Sequence, residues 1–342
     1  MRKKMILLAL TLFIGLSACG NDDKELPDEP GKEQGGNGGD EPESPDNPSG
    51  NEPVSWYVAT TGNDGNSGTL DSPLKSISKA LLRVNPGDTI FLREGAYHEF
   101  VTPTRSGEKG KLITLKSYPG ETAKIDGTGM TIKGWFSALV QLKSVQYMTF
   151  ENMHICNATN SDVNTDPEGV YINGVSRDIT FRNCKVYNIK STCLAGHNNG
   201  DWRSAHAFLV IGDDNGTPIR NLTIEKCEIY DMHTGTSETL TIAGNVDGFT
   251  IQDCEVHDVE NIGIIVAGGD NLNAGGNISV NYARNGVVRR NKVYRCSHQV
   301  SKDFWEGVYN NPAAYGAIGI YVCGGASTII EQNIVWECDR AI

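Results

Sequence analysis

The sequence lacks long hydrophobic runs, with one exception at its N-terminus. Residues 5–16 form an apolar stretch of about a dozen residues, which is too short to span a bilayer comfortably as a helix. Basic residues are also in deficit, because 30 Lys and Arg stand against 42 Asp and Glu, for a formal net charge of −12. This balance gives no electrostatic case for a nucleic-acid partner, and we expect none.

The cysteine spacings of metal sites and redox centres are absent too. The chain has 9 cysteines but no Cys-x-x-Cys and no paired His/Cys spacing, so neither a metal site nor thiol chemistry is indicated at the cysteines. Cys184, Cys227 and Cys254 occupy one position of a repeated phrase, where stacked turns would place them about 4.8 Å apart. We expect buried free thiols that serve as small core residues, with disulfides as the alternative.

The N-terminus has the organisation of an export signal. Residues 1–18 contain a short basic start, the apolar stretch and a small-residue sequence before Cys19, which together predict a secretory signal. The sequence Leu-Ser-Ala-Cys resembles a bacterial lipobox, and the following Asn-Asp-Asp resembles the acidic export tags of Bacteroidetes surface lipoproteins. The resemblance implies lipidation at Cys19 and an exported protein anchored to the outer membrane, at the cell surface or on its periplasmic face. An ordinary signal peptide is the alternative.

Residues 19–53 predict an acidic, disordered linker. This segment is rich in Gly, Pro, Asn, Asp, Glu and Ser, so it cannot bury enough apolar surface to offset its chain entropy. Eleven acidic and two basic residues lie there, which leaves residues 54–342 with a formal net charge of only −6. We expect residues 54–342 to form the folded domain and to be monomeric.

One nine-residue phrase occurs three times in near copies. "TFRNCKVYN" begins at Thr180, "TIEKCEIYD" at Thr223 and "TIQDCEVHD" at Thr250. Polar and apolar residues alternate within it, as in strands with one buried face. Related segments share its first inward apolar residue, and the six positions are Phe150, Phe181, Ile224, Ile251, Val288 and Ile330. Their spacing varies from 27 to 43 residues without a helical period between them, which favours the turns of a parallel β-helix with loops of different length.

A second predicted strand recurs in each turn and ends in glycine, as a bend between strands requires. Its copies are "GVYING", "AFLVIG", "TLTIAG", "GIIVAG" and "GIYVCG". We expect one outward-facing column along these strands, called the ladder: Tyr171, Leu209, Thr241, Ile265 and Tyr321. Stacked turns of this kind bury a continuous core that no single turn can bury.

The front of the domain resembles a known family. Residues 56–99 contain "WYVATTGNDGNSGTLDSPLKSISKALLRVNPGDTIFLREGAYHE", which predicts a strand, a turn-rich loop, a helix near 76–84 and a strand at 89–93. This stretch, with "SETLTIAGNVDGFTIQDCEVHDVENIGIIVAGG" and "ARNGVVRRNKVY", closely resembles secreted proteins of the pectate-lyase superfamily. Family 9 polysaccharide lyases resemble its cap most. The resemblance implies an all-β fold, a right-handed parallel β-helix with a short N-terminal capping helix.

The last residues read "WECDRAI", the start of another ladder strand by the same register. Because a solenoid stopped there would expose an open edge and an uncapped core, we expect C-terminal turns to be missing from this chain.

Four loops of variable length precede the ladder strands: 157–168, 190–206, 232–238 and 296–318. They enter one face, so we expect them to wall a groove along the ladder, the usual place for a site on a rigid scaffold. Glu168, His206 and Glu238 stand just before three successive ladder strands. Glu168 and Glu238 are the candidates for glycoside hydrolysis, which needs two carboxylates about 5 Å or 6.5–9.5 Å apart. A solvated rim without chemistry is the alternative.

Polysaccharide lysis makes different demands. A base must remove the proton next to a uronate carboxylate, and a cation must stabilise the resulting charge. His206 or His233 is the candidate base, and Arg203 or Arg284 is the candidate cation. We interpret the other histidines of the repeats, such as His257, as structural.

Family motifs transfer only in part. Family 9 lyases use clustered aspartates for calcium and a lysine base, and this chain offers Asp213, Asp214 and Asp270 for calcium but no lysine that the motif locates. "NTD" at residues 164–166 is similar to polygalacturonases, whose later Gly-His-Gly and Arg-Ile-Lys are absent. The sequence thus favours a lyase of acidic polysaccharide. A non-catalytic glycan-binding surface protein and a hydrolase with paired carboxylates are the alternatives.

Overall fold

The structure is a computed structural model that describes residues 52–193, 203–268, 280–308 and 316–342. The predicted signal, Cys19 and nearly all of the predicted linker lie outside these ranges. No helix among the described residues has the length and apolarity needed to cross a membrane.

Three parallel sheets run along the molecule and enclose one apolar core. The first sheet contains β1 (Ser55–Val58), β2 (Thr89–Leu92), β4 (Ile113–Ser117), β7 (Gln146–Glu151), β11 (Arg177–Arg182), β14 (Ile219–Glu225), β17 (Val246–Gln252), β20 (Arg284–Arg289) and β23 (Ile329–Glu331). The ladder sheet contains β6 (Ser137–Lys143), β10 (Pro167–Asn173), β13 (His206–Gly212), β16 (Glu238–Gly244), β19 (Ile262–Ala267) and β22 (Ile320–Cys323).

The third sheet contains β3 (Gly95–Tyr97), β5 (Ala123–Asp126), β8 (Met153–Cys156), β12 (Lys185–Ser191), β15 (Glu228–His233), β18 (Glu255–Val259), β21 (Lys292–Cys296) and β24 (Ile334–Trp336), with β9 (Thr159–Asn160) paired to β12. Each strand pairs with the equivalent strand of the next turn, which confirms the predicted right-handed parallel β-helix.

The aligned phrases predicted the register correctly. Phe150 pairs with Phe181, and the column continues through Ile224 and Ile251. All four side chains are buried in the core. The phrase also places two residues per turn in the left-handed region, such as Asp253 with φ of 55°. Asn and Asp tolerate this region best among residues with a Cβ. The fourth residue of the phrase, such as Asp253, bends the chain between the first and third sheets, and the ninth, such as Asp258, lies within the third-sheet strand.

The predicted capping helix is α1 (Ile77–Leu81). Ser76 caps it by accepting a hydrogen bond from the Lys79 amide at 3.2 Å, and the helix buries Ile77, Ala80 and Leu81 against the first turns. A second helical segment was not predicted. A 3₁₀ helix (His298–Ser301) and α2 (Lys302–Val308) occupy part of the loop before β22.

The prediction of buried free thiols is confirmed. Cys184, Cys227 and Cys254 are free and at most 2% exposed, and each sulfur lies 3.4–3.7 Å from a backbone carbonyl of the preceding turn. Asn291 and Asn333 make the same contact from this position with their side-chain amides, at 3.0 and 2.9 Å. From β12 onward the residue at this position donates a hydrogen bond to the turn before it, whereas Met153 fills the same position in the turn before β12 as an apolar core residue.

We expect these three thiols to resist alkylation in the native protein. Hydrogen bonding to its neighbours Cys184 and Cys254, together with burial, raises the pKa of the Cys227 thiol, so little thiolate forms and no reagent reaches it. The measurement is peptide mass spectrometry after iodoacetamide treatment, with the half-buried Cys323 and Cys338 as internal positives and urea-unfolded protein as the fully labelled reference. Labelling of Cys227 before unfolding would contradict this packing.

Two of the four loops expected to wall the groove, 190–206 and 296–318, lie partly outside the described residues, so the groove stays a prediction, but most of its expected floor is packed. Tyr171, Leu209, Thr241 and Ile265 lie in register on β10, β13, β16 and β19, but they are only 3–8% exposed. Tyr171 and Leu209 join Ala138 and Ile211 in a small apolar cluster outside the main core. These four ladder side chains are packed, whereas Tyr321 is half-buried. The contacts between titratable side chains that the structure shows lie at the ends of the strands.

Candidate functional site

An imidazole lies between two carboxylates at the amino ends of three ladder strands. Glu168 in β10 is paired in register with His206 in β13, and Glu238 begins the next strand, β16. The Nδ1 atom of His206 is 3.0 and 3.1 Å from the two carboxylate oxygens of Glu168. Its Nε2 atom is 3.8 Å from Oε2 of Glu238. The sequence predicted this juxtaposition, because the three residues occupy one position of the repeat.

The three side chains differ sharply in exposure. Glu168 is fully buried, the His206 side chain is 6% exposed and the Glu238 side chain is 24% exposed. Glu238 is therefore the most exposed member of the cluster, while Glu168 lies behind the ring of His206. Thr241 in the ladder donates a hydrogen bond to Oε2 of Glu238 at 3.3 Å and helps to orient the exposed carboxylate.

Burial and charge perturb both members of the buried pair. Burial by itself would lower the pKa of His206, but the charges of Glu168 and Glu238 and the hydrogen bonds to them outweigh it and raise that pKa to about 10. Burial raises the pKa of Glu168 to about 7, with His206 opposing the shift. The imidazole is thus held protonated at neutral pH beside one buried and one accessible carboxylate.

Asp166 belongs to this cluster and was missed as a site residue. It is fully buried two residues before Glu168, and neither of its carboxylate oxygens has a hydrogen-bond partner among the described residues. Burial raises its pKa to about 8, the neighbouring Glu168 adds to the shift, and His206 opposes it. The "NTD" sequence drew attention to this segment, but nothing in it indicated that the carboxyl would be buried.

Arg203 is engaged elsewhere by a second buried carboxylate. Its Nη2 atom forms an ion pair with Oε1 of Glu260 and donates to the Ser301 hydroxyl at 2.9 Å. The Arg203 and Glu260 side chains are 2% and 0% exposed, and the guanidinium carbon lies 3.8 Å from the centroid of the Phe304 ring. The pair joins the loop before β13 to the loop before β19, and Glu260 also accepts the Gly235 N–H of the loop between them at 2.8 Å. This position implies support rather than contact with a ligand.

His233 ends β15, five residues before Glu238 along the chain. It is half-buried, and burial with the nearby charges of Lys190 and Arg203 lowers its pKa to about 4. The imidazole is therefore neutral over the physiological range, unlike that of His206. Its role as an alternative base stays a prediction.

Arg284 begins β20 of the first sheet, beside the carboxyl end of the ladder strand β16. Its guanidinium contacts Asn245 at 3.0 Å and Asp247 at 3.2 Å, just beyond the last residue of β16. Because β16 rises about 3.3 Å per residue, this end is roughly 20 Å from Glu238. Arg284 and the His206 cluster therefore do not form one site.

The aspartates proposed for calcium do not form a cluster in the described residues. Asp213 accepts hydrogen bonds from the Asn173 amide at 3.1 Å and the Gly174 backbone at 2.8 Å. Asp214 accepts two backbone N–H groups of its own turn, and Asp270 lies outside the described ranges. Within those ranges no group of three or more His, Cys, Asp or Glu side chains is arranged to hold a metal ion. The described residues therefore do not fit a calcium site.

Comparisons with known proteins agree with this architecture. A family model described as "Pel9A-like, right handed beta helix region" matches residues 56–260. An uncharacterized protein of Bacillus subtilis, YwoF, is 31% identical over 287 residues, covering 84% of this chain and 57% of that protein. The pectate lyase PEL9 of Emericella nidulans is 29% identical over 142 residues, covering 37% of this chain and 33% of that protein. The chain thus spans less than two thirds of the length of either relative.

Solved structures share the fold at low sequence identity. A GH136 lacto-N-biosidase from Eubacterium ramulus superposes with a TM-score of 0.61 and 16% identity, covering 82% of this chain and 56% of that chain. The pectate lyase Pel9A superposes with a TM-score of 0.56 and 16% identity, covering 83% and 64%. A glycoside hydrolase and a lyase therefore share this scaffold, so the site must decide between their chemistries.

Proposed function

The chain belongs to the Pel9A-like right-handed β-helix family, and from this premise we propose that it is a polysaccharide lyase acting on uronate-containing polysaccharide. The observation that carries the proposal is the imidazole of His206, held by buried Glu168 on one nitrogen and directed to the accessible Glu238 on the other. A buried carboxylate that fixes the orientation of an imidazole is the usual support for a general base.

In the proposed reaction the neutral Nε2 atom of His206 removes the proton from the carbon next to the uronate carboxylate. The electron pair of that C–H bond forms a carbon–carbon double bond, and the glycosidic C–O bond breaks. The imidazolium then gives its proton to the departing oxygen, so the base returns to its starting state. Glu238 supports the reaction by accepting a hydrogen bond from the Nε2–H group once the ring has taken up the proton, or from sugar hydroxyls.

The burial of Glu168 disfavours the hydrolase alternative. Hydrolysis requires two carboxyl groups that flank the scissile bond and reach the substrate or a water molecule. Glu168 is fully buried, and the ring of His206 stands between it and Glu238. A sugar cannot enter between these carboxylates, whereas an elimination needs a single base and no second carboxylate.

Three parts of the proposal rest on sequence alone. Lipidation at Cys19 and export would place the protein at the outer membrane, where external polysaccharide is the available substrate. Calcium remains a proposal that the described aspartates do not support, and no step above uses it.

The test is an assay of the purified full chain on soluble polygalacturonate, alginate and neutral glucans. Ultraviolet absorbance from unsaturated uronide ends, appearing with new reducing ends, is the expected result. Reducing ends without that absorbance would replace the lyase by a hydrolase. Binding of glycans without any cleavage would favour the non-catalytic surface protein instead.

The pH profile should report the charge of His206. Since only the neutral imidazole is a base and its pKa is raised to about 10, kcat/KM should rise about tenfold per pH unit below that value. Glu168→Gln removes the charge that raises this pKa, so the rise should move to lower pH. The control is Glu228→Gln, which alters a carboxylate beside another histidine, His257. If Glu168→Gln does not shift the pH dependence of kcat/KM, the assignment of His206 as the base is contradicted.

A further inference from the structure

The outer face of the first sheet carries an unbroken row of threonines. Neighbouring strands from β4 to β17 place one threonine each in register, and the five are Thr114, Thr149, Thr180, Thr223 and Thr250. The adjacent residue of each strand points into the core, as Phe181, Ile224 and Ile251 show. The threonine side chains therefore lie on the outer face at the strand spacing of about 4.8 Å. Thr114, Thr180, Thr223 and Thr250 are half-buried, and Thr149 is 5% exposed.

Longer polar side chains flank this row on both sides. The column two residues later, called the paired wall, is Glu151, Arg182, Glu225, Gln252 and Arg289. The column three residues earlier, called the basic wall, is Gln146, Arg177, Arg220, Asp247 and Arg284. Short side chains between two rows of long ones make a shallow trough along the helix axis, with threonines as its floor.

The charges of the paired wall are neutralised within the wall. Arg182 forms ion pairs with Glu151 at 2.8 Å and with Glu225 at 2.5 Å. The side-chain amide of Gln252 donates to Glu225 at 2.7 Å, and Arg289 donates to Gln252 at 2.9 and 3.0 Å. This continuous chain holds the wall in place and leaves it without a surplus charge.

The basic wall has a surplus of positive charge. Arg177 and Arg220 lie side by side on paired strands, with side chains 48% and 55% exposed. Among the described residues, the carboxylate nearest to Arg177 is that of Asp178 and the one nearest to Arg220 is that of Asp247, each at 4.0 Å. Asp178 is held at 3.0 Å by the Asn221 amide.

Asp247 is likewise committed, because it accepts hydrogen bonds from Arg284 at 3.2 Å and Asn285 at 2.7 Å. Arg177 also donates a hydrogen bond to the side-chain oxygen of Gln146 at 2.5 Å. Because Gln146 is neutral, this contact does not offset the charge of Arg177. Like charges on adjacent strands repel one another, and no closely paired carboxylate relieves Arg177 and Arg220. An anionic group bound above Arg177 and Arg220 would offset their charges and reduce this repulsion.

We propose that this trough binds a linear acidic polysaccharide at a second site, outside the His206 cluster. Carboxylates of the polymer would lie against Arg177 and Arg220, and its hydroxyls would hydrogen-bond to Thr180 and Thr223. The regular spacing of the floor suits a ligand that repeats along its length, and the positive wall suits an anion on a domain whose overall charge is negative. The choice of a uronate polymer as the ligand rests on the proposed function. The proposal that an anionic polymer binds in this trough does not depend on it.

The experiment measures binding of polygalacturonate and alginate to the full chain carrying His206→Gln, a background in which the polymer stays intact. The trough variant adds Arg177→Gln and Arg220→Gln. The matched control adds Lys185→Gln and Arg295→Gln on the third sheet, and so removes the same amount of charge. We expect the trough variant to bind the polymer about tenfold more weakly than the His206→Gln protein, and the control variant to bind it as tightly as the His206→Gln protein does. The affinity of the His206→Gln protein should fall as salt is added.

Equal affinities in the parent, trough and control proteins would overturn the inference, and so would a parent that binds neither polymer. A second variant, Thr180→Val with Thr223→Val, removes two hydroxyls without changing charge or shape and should also weaken binding. If the trough variants lose binding while the unmodified protein cleaves no polymer, the second site stands and the lyase proposal fails.

Discussion

Replacing His206 by glutamine should lower kcat/KM on the uronate polymer by about 10²–10⁴-fold, the usual contribution of a positioned general base. Glutamine can keep a hydrogen bond to Glu168 but has no nitrogen that takes up a proton. The loss should appear in kcat, because the proton is removed in the chemical step. The measurement is initial-rate kinetics by ultraviolet absorbance, with circular dichroism to verify that the fold is retained.

The chain provides a matched control for this substitution. His257 is also a histidine between carboxylates of the repeat, with Asp258 at 2.7 Å and Glu228 at 3.5 Å. Its ring is stacked between Tyr230 and Tyr294 on the outer face of the third sheet, away from the candidate site. His257→Gln should leave kcat/KM unchanged. Equal losses in the two variants would mean that His206 supports the fold rather than the reaction.

Replacing Glu260 by glutamine should destabilise the protein by about 3–5 kcal/mol, since removal of one partner leaves a buried charge uncompensated. Arg203 would keep its positive charge at 2% exposure, and its remaining partners among the described residues, the Ser301 hydroxyl, the Cys193 carbonyl and the new amide oxygen, are all uncharged. Glu260 also accepts the Gly235 backbone N–H at 2.8 Å, so that loop loses a restraint. The measurement is the free energy of unfolding from urea titration.

Two further variants separate this charge effect from ordinary disruption. Arg290→Gln removes an arginine from an exposed ion pair with Asp253 and should leave the unfolding midpoint nearly unchanged, because exposed pairs contribute little. The double variant Arg203→Met, Glu260→Met removes both buried charges and should be more stable than Glu260→Gln. A double variant as unstable as the single one would show that packing, not charge, controls this region.

The fold followed from the sequence because the repeat is directly visible in it. The alternation within "TIQDCEVHD" and its copies determined which side chains face the core, and the register of Phe150 with Phe181 and Ile224 followed at once. The same alignment brought Glu168, His206 and Glu238 together. Each of these results needs only the position of a residue within a turn, since neighbouring turns stack in register.

Features that depend on tertiary packing were missed. Asp166 and Glu260 belong to polar loop sequences, where acidic residues are normally solvated, and only the packing of the surrounding turns buries them. The ladder residue Tyr171 was expected to be open, but residues of adjacent turns cover it. Helix α2 was missed because seven residues give too short a periodic signal to distinguish from a loop.

The left-handed residues of the repeated phrase bear on how such a protein can change length over evolution. Asp253 and Asp258 bend the chain by their own local conformation, and equivalent residues do so in neighbouring turns. A duplicated segment that begins and ends at the same point of the phrase would therefore enter the stack with matching hydrogen bonds above and below. Such a duplication leaves the cross-section of the β-helix unchanged. It lengthens the threonine row and adds a further loop before the ladder sheet, so the binding surface can grow by whole turns without a change in the core.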